Sequence, residues 1–233
     1  MSTAPANNIP PGVTVFCDPT LRPAMRSLDP ISRAQAGAPV SVLSAPAMSM
    51  LAQIQRHTRN DVLFTLSAAM DQALQLQLVR PGTRVDGFSN PLVLATLSSN
   101  STAPVNKAGL LSALSDGRLA VTDNTVASGL DGRAVLSADG LPTGRVIGAA
   151  TTADVVFMLT TGAADVGLVY LTDVKAEPRL TVLAMLGADP ALTQYSGAVN
   201  AKAVSPNAQA FLDVMRSAAG STRLRAAGLE MAS

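Results

Sequence analysis

The chain has one cysteine and one histidine among its 233 residues. Cys17 alone excludes an internal disulfide and any multi-cysteine metal site, and His57 alone excludes a histidine cluster. A Ser-His-Asp triad would have to use His57, whose surroundings, "QRHTRN", read as an exposed polar helix end. Tryptophan is absent, aromatic residues make up 3%, lysine and arginine never run together, and the net charge is +1. Stacking platforms and a basic nucleic-acid surface are thereby excluded. No apolar stretch reaches the roughly 20 residues that cross a bilayer. Also missing are G-x-S-x-G, H-E-x-x-H, a phosphate-binding P-loop and a G-x-G-x-x-G after a strand. Nothing in the residues calls for a metal or a cofactor, and the residue-level case for an enzyme is weak.

What remains is a chain that is 48% hydrophobic and 14% charged, enough for one large domain or two small ones with real cores. Short β-like runs alternate with helical patterns, which predicts an α/β fold of mixed, mainly parallel sheets flanked by helices. The runs are 13–17 (holding Cys17 as a buried strand cysteine), 40–43, 61–65, 91–96, 119–121, 145–147, 166–171, 180–186 and 195–199. Helices are expected from Thr20, with Thr20 as N-cap; from 47 to about 54; from Leu66 to Gln77, although Leu74, Leu76 and Leu78 alternate as in a strand; around Leu110–Leu114; from Ala127 to Leu136; from a cap at Thr151 or Thr152; and from Ser205 until Gly220 interrupts it. A last short helix ends near Gly228. The pattern suggests two lobes, 1–85 with 195–233 and 86–194, the chain crossing near 82–90 and 188–196.

A strand followed by a helix that opens on small or hydroxyl residues recurs at Thr20, Ala47–Ser49, Ser128-Gly129 and Thr151-Thr152. Each such helix start presents unpaired N–H groups and the positive end of its macrodipole. Several aimed at one point would make an anion site without lysine or arginine. Taken singly, each is also an ordinary N-cap.

Read in order, the segments "VTVFCDPTL", "SMLAQI", "NDVLFTLS", "NPLVLAT", "GRLAVTDNTVASG", "GAADVGLVYLTDV" and "AFLDVMRS" resemble the molybdate-binding proteins of ABC importers, which have the type II periplasmic binding protein fold. The resemblance implies a two-lobed fold with two crossover strands and a periplasmic, monomeric protein. It would close on a small ligand and deliver it to a membrane permease. Met1–Gly12 has no basic or apolar leader character, so the leader is expected to have been removed. The implied ligand-binding residues are Thr20, Ser128, Thr152 and Tyr170. Met48 stands where such proteins place a second serine, and Ser49 beside it is the nearest hydroxyl; a thioether donates no hydrogen bond. Asp18 and Asp131 fall where the family has uncharged residues, so they would alter specificity.

Three readings follow. The first is a solute-binding protein for an oxyanion such as molybdate or tungstate, or for a small organic ligand. The second is an enzyme on the same scaffold, such as an isomerase of a small carboxylate, using Asp18, Asp131 or Tyr170 for proton transfer. The third is a sensory domain that binds ligand without an importer.

Overall fold

The structure, a computed structural model, describes residues 12–100, 114–115, 117–122, 136–137, 140–141, 145–186 and 193–231. The helices expected at Leu110–Leu114 and Ala127–Leu136 fall almost wholly outside these residues, as do Ser128 and Asp131.

The apolar runs become strands, and their order in space makes two sheets. The first sheet contains β1 (Val13–Cys17), β2 (Val40–Ser44), β3 (Val62–Leu66), β4 (Val85–Ser89), β10 (Gln194–Val199) and β11 (Glu230–Met231), in the order β11-β4-β10-β3-β1-β2. The second contains β5 (Leu92–Leu97), β6 (Arg118–Thr122), β7 (Arg145–Ala149), β8 (Val166–Tyr170) and β9 (Leu180–Met185), in the order β7-β6-β8-β5-β9. β1 runs parallel to β2 and β3, as β6 does to β7 and β8. The returning strands β10 and β5 pair antiparallel with both their neighbours. β3 and β8 are buried at every position, which is why their sequences are unbroken apolar runs rather than alternating ones.

Helices α1 (Arg22–Ser27), α2 (Asp29–Ala36), α3 (Ala47–Gln55), α4 (Ser67–Gln75), α7 (Ala208–Arg216) and α8 (Ala218–Ala226) belong with the first sheet. The second sheet carries α5 (Thr152–Thr160) and α6 (Leu171–Ala176). Leu74 lies in α4 and Leu76 caps it, so the Leu74/Leu76/Leu78 alternation is not a strand. Each sheet has its own core. In the first, Phe64 meets Phe88 edge-on at 5.0 Å and stacks on Tyr195 at 6.3 Å. Full burial of each such side chain contributes ~1.5–3 kcal/mol.

The break between the last two helices differs from the one expected at Gly220. Ser217 is extended (φ −63°, ψ 158°), ends α7 and caps α8, its hydroxyl accepting from Gly220 N at 3.1 Å. Gly220 lies inside α8, where an added Cβ would come within 1.9 Å of the Val214 carbonyl oxygen. It is there for close packing of the two helices. Gly228, at φ 89°, ends the C-terminal turn as expected and lies against the backbone of Leu171–Thr172 in the other half of the molecule.

Candidate ligand-binding site

The site starts where β1 stops. Asp18, 5% exposed, caps a 3-10 turn, Pro19–Leu21. Its Oδ1 accepts from Thr20 N at 3.2 Å and Thr20 Oγ1 at 3.1 Å. The cap is therefore Asp18 rather than Thr20: a carboxylate followed by proline at the first turn position meets both requirements of a helix start. The Thr20 hydroxyl instead lies between Asp18 and Asn90, whose Nδ2 reaches it at 3.5 Å. Asn90 is fully buried and also holds α6, donating from Nδ2 to Thr172 Oγ1 at 2.8 Å and accepting from Thr172 N at 3.3 Å.

From the second sheet, β7 leads into α5. Thr151 is the N-cap, in a capping box with Asp154: Asp154 N donates to Thr151 Oγ1 at 3.2 Å, and Thr151 N to Asp154 Oδ2 at 2.9 Å. Thr152 is the first helical residue, and its hydroxyl bonds the Asp173 carboxyl. Tyr170 ends β8, and its N–H donates to Asp173 Oδ2 at 3.1 Å, an acid three residues into α6 that caps it. The Tyr170 hydroxyl meets that of Tyr195 from β10. These are the chain's two tyrosines.

A cavity of about 210 Å³ lies among these groups, walled by Asp18, Pro19, Thr20 and Pro46 on one side and by Thr122, Thr151, Thr152, Ala153, Tyr170 and Asp173 on the other. Thr20, Thr152, Tyr170 and Asp18 thus share one hollow. Met48, in the first turn of α3, is 48% exposed and does not line it. Neither does Ser49, whose hydroxyl accepts from Gln53 Nε2 at 3.0 Å. Pro46, the N-cap of α3, takes the place at the wall that the serine-to-methionine comparison assigned to Met48. A larger groove of about 550 Å³, lined by residues such as Arg59, Leu76 and Lys202, opens on the first half of the molecule alone. His57 borders it, exposed and hydrogen-bonded to Lys202.

Sequence reasoning missed Pro46, Thr122, Asn90 and Asp173 as site residues. The signal for Asp173 was available: an acid three residues after a strand end is a capping pattern. Asn90 offered only the Asn-Pro dipeptide of a chain turn.

The electrostatics are unusual for an anion pocket. Among the described residues no lysine or arginine lines the cavity. Burial pushes the Asp18 carboxyl up, against the downward pull of its two bonds from Thr20. Burial also raises Asp173, to about 7, with the charge of Asp18 adding to the rise and the bonds from Tyr170 and Thr152 opposing it. Asp173 keeps some exposure toward the cavity but is otherwise surrounded by protein. Burial, and then the charge of Asp18, raises Tyr170. The positive contribution is the first turn of α5, whose Thr152 and Ala153 amides have no partner within the helix. Cys17 is fully buried in β1, and burial raises its thiol, so it is not a reactive group here. The described residues hold no cluster of potential metal ligands.

Two α/β sheets that meet around a ligand-sized hollow define a two-lobed binding-protein fold, in which helix starts and strand ends face the bound molecule. The model of the bacterial extracellular solute-binding protein family matches residues 13–230, and the chain belongs to that family. Solved structures share the fold. A periplasmic molybdate-binding protein from Azotobacter vinelandii is 19% identical with a TM-score of 0.76, covering 95% of this chain and 100% of its own. A substrate-binding domain from Clostridium difficile is 20% identical with a TM-score of 0.74, covering 95% and 99%. A tungstate ABC transporter structure from Geobacter sulfurreducens is 14% identical with a TM-score of 0.64, covering 91% and 97%. No curated protein sequence matches the chain. No helix among the described residues is long and apolar enough to cross a membrane.

Proposed function

We propose that this chain is the solute-capturing component of an ABC-type importer. It takes a small ligand, an oxyanion or a compact organic molecule, into the cavity between one lobe built on the first sheet, which includes β4 and β10, and another built on the second sheet, β5 to β9, and a membrane permease receives it. The observation that carries this reading is convergence. Thr20 after β1, Thr122 at the end of β6, Thr152 at the start of α5 and Tyr170 at the end of β8 come from segments far apart in sequence and wall one hollow. The relatives named above, a molybdate-binding protein and a tungstate transporter, favour an oxyanion. The isomerase reading would use the same Asp18 and Tyr170; the family match favours capture over turnover.

Thermal unfolding in the presence of candidate solutes tests the proposal. A ligand at 100 times its Kd adds ~2.7 kcal/mol by mass action, which for a chain of this size raises Tm by ~5–10 °C. Molybdate, tungstate, sulfate, phosphate and small organic acids form the panel. Absence of any shift across it would overturn capture at this cavity.

A further inference from the structure

Resting on the capture reading, we infer that Asp18 Oδ2 is a ligand-facing acceptor that makes the cavity select oxyanions retaining a hydrogen over fully deprotonated ones. The two oxygens of this carboxylate are not equivalent. Oδ1 already accepts twice from Thr20. No donor among the described residues reaches Oδ2. Among the described residues, the sealed side-chain atoms without a partner are Asn60 Nδ2 and Thr65 Oγ1. Asp18 Oδ2 is not one of them, because Asp18 borders the open hollow while the rest of its side chain is buried.

An ionised carboxylate is acceptor-only. Molybdate, tungstate and sulfate offer acceptor-only oxygens, so contact with Oδ2 would set two negative charges together in a partly dry site. Phosphate and arsenate keep one hydrogen near neutral pH. Their O–H would donate to Oδ2 in a short charge-assisted bond. The remaining oxygens would then face the first-turn amides of Thr152 and Ala153 at the positive end of α5. The titratable groups that feel the charge of Asp18 are Cys17, Tyr170, Tyr195 and Asp173, none of them cationic. Arg22 and Arg26, the nearest cations along the chain, act on Cys17 but neither pairs with the Asp18 carboxylate.

Asp18→Asn tests the inference because it keeps an oxygen for Thr20 N and puts an N–H donor where Oδ2 stands. Titration calorimetry at about pH 8 would compare wild type and D18N against molybdate, tungstate, sulfate, phosphate and arsenate. Wild type is expected to bind phosphate or arsenate about tenfold or more tightly than the other three, and D18N to invert the order by a similar factor. If D18N fails to fold, the wild-type ranking alone decides. Equal or tighter wild-type binding of molybdate or tungstate, unchanged by D18N, would overturn this inference and leave the capture reading standing. Silence from all five anions in both proteins would also overturn it, while the capture reading would then stand or fall on the organic acids of the thermal panel.

Discussion

Asp173 shows how one buried side chain ties stability to pH. Its carboxyl caps α6 and receives the Tyr170 N–H and the Thr152 hydroxyl, yet loss of water around it dominates and lifts it to about 7. The folded chain therefore holds a proton that the unfolded chain releases near pH 4. Between those values the native state binds more protons, so its stability falls as pH rises from about 4 to about 7. Asp18, also raised, acts with the same sign. Melting the wild type and D173N between about pH 5 and pH 8 should show a steeper decline for the wild type, on the order of 1 kcal/mol per pH unit or less. Equal slopes would mean that Asp173 is ionised in the folded protein. At this scale the sequence was informative about residue type and poor on partners. It gave Thr20, Thr152 and Tyr170 as candidates, but not that Asp18 would take the cap from Thr20. Nor did it indicate that Pro46 would reach the wall in place of Met48, since both depend on where a turn points its side chains.

The elements were legible wherever a local rule acts alone. Among the described residues nine strands follow their apolar runs, whereas β4 (VDGFS) and the two-residue β11 carry no such run and were not expected; α5 starts at a Thr151/Asp154 capping box and ends at Gly162, whose φ is 73°. The interruption near the C-terminus was not legible in the same way. A glycine inside a helical pattern reads as a breaker by propensity, whereas Gly220 serves close contact between α7 and α8 and the break falls at Ser217. Gly220→Ala should therefore destabilise the chain despite its better helix propensity. The expected loss is ~1–3 kcal/mol, read as a lower midpoint in urea. Ligand affinity should stay within twofold, because Gly220 does not line the cavity. A stabilised G220A protein would refute the packing account.

At the scale of the molecule, β4 and β10 join the two halves. They are antiparallel neighbours in the first sheet, and the chain leaves β4 through Asn90-Pro91 directly into β5 of the second. Asp86 of β4 accepts from Ser196 of β10 at 2.5 Å and pairs with Arg84, which also pairs with Asp71. Such a stapled strand pair is a natural axis for lobe closure over a ligand. Small-angle scattering should show a lower radius of gyration on addition of a solute that raises Tm. A tight ligand that leaves the scattering unchanged would argue for a preformed closed site.

The sequence by itself determined the alternation of strands and helices and the hydroxyl cap of α5 at Thr151 or Thr152, because periodicity and capping act within a few residues. Only the tertiary structure decided that segments from both sheets enclose one cavity and that one carboxylate oxygen opens onto it without a partner among the described residues. Both depend on contacts between residues tens to more than a hundred positions apart, such as Asn90 with Thr172 and Tyr170 with Tyr195, and on burial that no local pattern encodes.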